Sequence, residues 1–354
     1  MAVVWQLKLK NHSGALVALI DDFVGLEIKE PVNGVGEYAL QMKGDDPDCA
    51  LFGLDYQVEA WWRDLDAGIA WRREIEAFHR DGYWSVAADG KLVFSSVGVG
   101  YVDLLRRTHI EAYAGSAEAV KSGPAETVIK EYVDEQAGPS AGSRARSGLS
   151  VQADGETGET VRFTRPWANL LAVCQEIAQV GGGDFEIVGT GAATFEFRWH
   201  SGQLGADRSA TVRFSLGFGN MAEPELRQTR SGEINAVLVA GQGSEDARET
   251  VWRTDAGLLD DSPWNRCEAF VDARSEADTS GLNTVGDARL KEGKPSNTLT
   301  FKVLQTEGYR YGRDYFLGDL VTAEFRGVTA LKKIVGVTIS VAAATRFDVE
   351  TADV

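Results

Sequence analysis

Residues 3–10 constrain this chain most, because they alternate without a break. Val3, Trp5, Leu7 and Leu9 fall on one side, and Gln6, Lys8 and Lys10 on the other. A two-residue period sets one face of a strand on a core and the other in water. Such a strand needs partners, and the next ninety residues supply candidates. Residues 16–20 are a short apolar run closed by Asp21-Asp22. Leu26 and Ile28 alternate with charged neighbours. The turn cluster 31–36 (PVNGVG) leads into a strand at 38–42, and residues 56–62 and 71–78 read as further strands. Asp89-Gly90 is a hairpin signal between 84–88 and 91–96. Residues 1–100 are therefore expected to form an antiparallel β-module.

The pattern changes near 101. Residues 101–108 fit one or two helical turns. Gly123-Pro124 opens a helix with the apolar stripe Val128, Ile129, Tyr132 and Val133, and Gly138-Pro139 closes it. Residues 138–160 carry almost no apolar surface and read as a flexible surface loop, whose Arg144 and Arg146 are candidate contacts for an acidic partner. A second helix is expected from Pro166, with Trp167, Leu170, Leu171, Cys174, Ile177 and Ala178 on one face and a stop at Gly181-Gly182-Gly183. Residues 185–188 and 195–199 flank Gly189-Thr190-Gly191 as a hairpin, and 211–214 is a short strand. Strand patterns then return at 234–240, 248–253, 266–272, 299–303, 320–325 and 334–341, with a short helix at 281–292 turning Leu282, Val285 and Leu290 to the sheet. The expected class is α+β and β-rich: β-modules at 1–100 and 221–354 around an α+β insert at 101–220. A short echo links them. Residues 52–62 and 316–325 each run aromatic, Gly, Asp and then an alternating strand.

Chemistry is hard to find. The four histidines (His12, His79, His109, His200) are each at least 30 residues apart, so no local zinc spacing exists. Cys49, Cys174 and Cys267 form no C-x-x-C pair and no disulfide framework. No nucleophile elbow or S-x-x-K motif is present. Gly98-Val99-Gly100 is half of a dinucleotide fingerprint, with Asp103 where the third glycine belongs, and reads as a plain turn. Asp45-Asp46-Asp48, Asp64/Asp66 and Asp260-Asp261 lack the bidentate Glu of a calcium loop and read as solvated turns. Trp61, Trp62, Trp71 and Trp84 are core residues or a sugar-stacking set, with the core the favoured reading. No catalytic, cofactor or metal residue is assigned. With 36 basic and 53 acidic residues the net charge is −17, which disfavours nucleic acid and anionic membranes as partners. The first 14 residues lack a signal-peptide pattern, and no run of about 18 apolar residues occurs. Asn11-His12-Ser13 fits a glycosylation sequon and reads as a turn.

The order of segments resembles siphophage tail-hub (tail-tip, baseplate-hub-like) proteins. The resemblance rests on Val102–Arg107 with the Pro124 helix, Asn169-Leu170-Leu171, residues 234–243 (INAVLVAGQG), 266–274 (RCEAFVDAR) and 309–321 (YRYGRDYFLGDLV). It implies a structural virion protein assembled in the host cytoplasm, built of two tube-protein-like modules per subunit. It implies a homotrimer that joins the tail tube to the tip and lines a channel for DNA, which passes without specific binding. Implied partners are the distal tail or tail tube protein, the tape-measure protein and central tip or fibre proteins, with no membrane and no cofactor. Gly241, Gly243 and Gly318 would serve turns, and no catalytic role carries over. Two other classes stay open: a carbohydrate-binding adsorption protein and a tail-associated cell-wall hydrolase.

Overall fold

The computed structural model describes residues 3–111, 119–243, 248–274 and 279–354. Its chain contacts define two compact units. One is Met1–Glu223 together with Phe301–Val354, and the other is Pro224–Thr300. The expected β-rich α+β class is what the chain adopts.

The first unit is organised on one sheet of eleven strands. Its order is Arg213–Ser215, Leu320–Phe325, Val328–Val341, Gly25–Pro31, Glu37–Lys43, Leu92–Gly100, Ile69–Val86, Gln57–Asp64, Val4–Lys10 and Leu16–Ile20, with Thr345–Asp353 also paired to Val328–Val341. The alternating residues behave as their period dictates. Trp5, Leu7 and Leu9 are buried. Trp5 lies opposite Trp62 in register, and the two rings stack at 5.8 Å. Residues from both ends of the sequence share this sheet, because Gly25–Pro31 pairs on one side with Glu37–Lys43 and on the other with Val328–Val341, Ile28 opposite Ile339. The sequence expectation treated these as strands of different modules. Strand Thr345–Asp353 carries only a weak alternation and was not expected.

Gly98 and Gly100 belong to the strand Leu92–Gly100, so the GVG triplet is no turn. A Cβ on Gly98 would lie 2.2 Å from the Tyr38 ring and 2.3 Å from the Phe78 carbonyl oxygen. That carbonyl is backbone and cannot swing aside. Gly98→Ala is expected to cost about 3 kcal/mol, the upper end for overpacking, read as a lowered urea midpoint at unchanged slope.

The insert builds its own core from Val128, Ile129, Tyr132 and Val133 on the helix Ala125–Gln136 and from Leu170, Val173, Cys174 and Ile177 on the helix Leu170–Gly181. Both helices start later than their prolines predict. Pro124 ends the strand Val120–Pro124, and the second helix waits for Asn169, whose side chain caps Ala172 N–H. Trp167 thereby leaves the helix face and stands exposed, at φ 65°. The segment 138–160 is built rather than loose. It holds a 3-10 turn at Pro139–Arg144 and a strand, Leu149–Val151, that pairs in parallel with Thr194–Ser201. Arg144 donates to Gln136 Oε1 at 2.9 Å, and Arg146 to the Arg107 carbonyl at 3.1 Å and Thr108 Oγ1 at 3.0 Å. These arginines are used internally, which composition alone does not reveal. The hairpin Gly183–Gly191/Thr194–Ser201 follows as expected.

In the second unit, Ala236–Ala240 is central, flanked by antiparallel Thr250–Thr254 and parallel Glu268–Asp272. The helix Thr279–Glu292 covers one face, packing Leu282 and Leu290 on Val237 and Val239.

Candidate functional site

The histidines and cysteines are dispersed, and three of the four histidines are already engaged. His12 Nε2 sits 2.7 Å from the Leu54 carbonyl, His79 Nδ1 is 2.8 Å from Ser96 Oγ, and His200 Nε2 is 2.9 Å from Glu186. Burial lowers the His79 pKa, which favours the neutral ring. Cys49 and Cys174 are buried and Cys267 half-buried, all as free thiols, and desolvation pushes the Cys174 pKa up. Among the described residues no group of three or more His, Cys, Asp or Glu is arranged to hold a metal ion. The acidic runs close turns. Asp46 accepts from Asp48 N–H, Asp64 from Asp66 and Ala67 N–H, and Asp261 pairs with Arg230.

The tryptophans divide. Trp62 is 1% exposed and donates to Glu74 at 2.7 Å. Trp61 donates to Glu59 at 2.8 Å, and Lys8 lies over its ring at 4.2 Å. Arg63 covers Trp71 at 4.8 Å. Trp62 is thus core, Trp61 is held within the sheet, and Trp71 stays partly exposed beneath Arg63. Trp84 differs. It stands on the hairpin of Ile69–Val86 and Leu92–Gly100, where every residue from 81 to 92 is exposed. Tyr83, Trp84, Val86 and Leu92 there place apolar surface in water, with Trp84 braced on Phe94 at 4.7 Å. A second open surface lies on the smaller unit. Leu238 is registered between Trp252 and Phe270 on the sheet face away from the helix, and Arg266 lies over Trp252 at 5.1 Å. Contiguous exposed apolar surface of this kind marks contact sites. Apart from Trp84, nothing in the sequence marks these residues as exposed; the Asp89-Gly90 turn was the one local signal of the hairpin.

The insert is fastened to the large sheet by a polar joint. Asp184, 1% exposed, accepts from Asn33 Nδ2 at 2.8 Å, Leu204 N–H at 2.7 Å and Lys333 Nζ at 2.6 Å. Asn33 returns the contact, accepting from Phe185 N–H at 2.7 Å, and Gln175 donates to its carbonyl at 2.9 Å. Asp319 makes a similar joint, accepting from Ala206 N–H, Arg208 and Phe316 N–H at 2.6–2.8 Å. Gly318 precedes it at φ 84°, a conformation that favours glycine, and Gly243 is also left-handed at φ 108°. Gly241 lies instead against Leu282.

The site residues thus leave open apolar surface on each unit as the main feature. The model of the family described as Siphovirus ReqiPepy6 Gp37-like protein matches residues 6–351. The chain belongs to that family. The Gp37-like chain also shares its fold with solved phage tail proteins. With the 43 kDa tail protein of prophage MuSo2 from Shewanella oneidensis the TM-score is 0.57 at 12% identity, covering 99% of this chain and 97% of that one. With the tail protein of Neisseria meningitidis MC58 it is 0.55 at 11%, covering 100% and 97%. With the prophage tail protein gp18 of Listeria monocytogenes EGD-e it is 0.52 at 10%, covering 98% and 94%. No curated protein matches the sequence. The expected kinship with siphophage tail proteins stands, and the Gp37-like fold is that of a phage tail protein.

Proposed function

We propose that this Gp37-like chain is a structural subunit of the tail tip or baseplate hub. Three copies close into a ring that joins the tail tube to the tip, and the ring lines the passage for DNA. The observation that supports this best is the projecting hairpin 81–92. Its exposed Tyr83, Trp84, Val86 and Leu92 form no part of the protomer's own core. A closed ring needs one patch of each copy to seat on a different patch of the next, and this hairpin is the natural donor. The segments 1–100, 101–220 and 221–354 are read as two related β-modules and an insert, which gives six similar positions per trimer. The neighbours are the distal tail or tube protein above, the central tip or fibre proteins below and the tape-measure protein within. The particle is assembled in the host cytoplasm and remains in the virion. The chain has no catalytic duty.

The charge fits this role. A conduit must not hold its cargo, and phosphate is held by lysine and arginine that release counterions. A chain of net charge −17 is expected to leave duplex DNA free at about 0.15 M salt. Filter binding checks this, and retention that weakens steeply with added salt would contradict it. The trimer is tested by light scattering. The expected mass is three times 38.3 kDa, falling toward one copy in a Trp84→Ser, Val86→Ser double variant. A monomer at every concentration, or a trimer indifferent to those changes, would overturn the hairpin's assignment.

A further inference from the structure

The insert hairpin meets the large sheet over a cavity of about 220 Å³. Its lining brings together four carboxyl groups from three segments: Glu30 on Gly25–Pro31, Glu74 and Glu76 on Ile69–Val86, and Glu186 on the hairpin. Arg73 is the one cation among the lining residues, and Tyr101 the remaining ionisable group. Three of the carboxylates are held. Glu74 accepts from Trp62 Nε1 at 2.7 Å and Tyr311 Oη at 2.6 Å, with Arg72 at 3.3 Å. Glu76 accepts from Gly189 N–H at 3.0 Å and pairs with Arg73 at 2.8 Å. Glu186 faces His200 at 2.9 Å. Among the described residues Glu30 has no hydrogen-bond or ion-pair partner. Its carboxyl group lies close against Gly36, where a Cβ would stand 2.6 Å from Oε1.

We propose that this seam is a proton-operated latch: it closes while Glu30 is neutral, and ionisation of Glu30 against Glu74, Glu76 and Glu186 loosens the hairpin from the sheet. The inference stands apart from the ring reading, since it concerns one protomer. Burial, and then the charges of Glu74, Glu76 and Glu186, raise the Glu30 pKa well above the ordinary glutamate range. Burial also raises that of Glu76, against the opposing pull of Arg73. The sign follows. An acid whose pKa is raised in the folded state holds its proton there after the open state has released it. The closed seam is therefore favoured below the unfolded glutamate pKa of about 4.3. That advantage is lost as pH climbs from there through Glu30's raised value.

Hydrogen exchange on the full chain, taken across a pH series and corrected for intrinsic rates, tests the latch at two amides. Gly189 N–H is bonded to Glu76, and Phe185 N–H to Asn33. Their opening constants are expected to rise by up to about tenfold per pH unit inside the window, the slope of one released proton. Glu30→Gln, which imitates the neutral acid, should flatten the rise. Glu186→Gln removes one repelling charge and should shrink it. A flat profile in the unmodified chain, or a Glu30→Gln profile that climbs as steeply as the unmodified one, would overturn the latch. If Glu30→Gln does not fold, the Glu186→Gln profile decides, and an undiminished rise there is the contradicting result.

Discussion

Asp184→Ala is expected to lower the unfolding free energy by about 3–5 kcal/mol, the cost of removing one partner from a buried ion pair. Asp184 is 1% exposed, while the Lys333 side chain retains 19% exposure. Without the carboxylate, Lys333 keeps a mostly desolvated ammonium with no counter-charge, and the N–H of Leu204 loses its acceptor. Asn33 loses one of its three bonds to the insert. The damage is therefore concentrated at the joint between insert and sheet. Asp184→Asn keeps an acceptor for Leu204 and removes only the charge, so about 1–3 kcal/mol is expected. Urea denaturation supplies both numbers. A loss below about 1 kcal/mol for the alanine variant would mean that the joint contributes little and that apolar packing alone seats the insert.

Trp62→Ala separates the core reading of the tryptophans from the sugar-binding one. Trp62 stacks on Trp5, packs against Phe347 at 5.1 Å and donates to Glu74. Truncation should cost about 3–5 kcal/mol through the cavity alone, and it strips Glu74 of a donor. Trp62→Phe keeps most of the volume and loses the N–H, so about 1–3 kcal/mol is expected. A binding residue behaves differently: its removal leaves the melting profile intact and abolishes glycan affinity. A stable Trp62→Ala protein with lost affinity for cell-wall sugar would return the adsorption reading to first place.

What the sequence made legible follows from range. Period-two segments such as residues 3–10 announced strands because each residue's face is fixed by its neighbours two away. The helix stripes around Val128–Val133 and Leu170–Ile177 were readable for the same local reason. Pairing was not readable. Nothing near Ile28 signals that Ile339 lies across from it, and the alternation of the strand Thr345–Asp353 is too polar to stand out. Segment 138–160 misled because its order comes from main-chain pairing and from Arg144 and Arg146 reaching carbonyls and amides, which apolar content does not register. Helix starts moved because the cap at Asn169 outweighed Pro166. The carboxylate cluster and the Asp184 joint draw on residues more than a hundred positions apart, so no motif precedes them. The exposed hairpin was half visible: Asp89-Gly90 gave its turn, and Trp84 was noted as an aromatic, but the exposure of every residue from 81 to 92 is a three-dimensional fact.

The central claim is that copies of this chain close on one another and serve by shape. Averaged electron micrographs of the purified protein at micromolar concentration test it most directly. Three-fold particles with an open centre are expected. Isolated single protomers in every class average, with no closed assembly at any concentration, would contradict it.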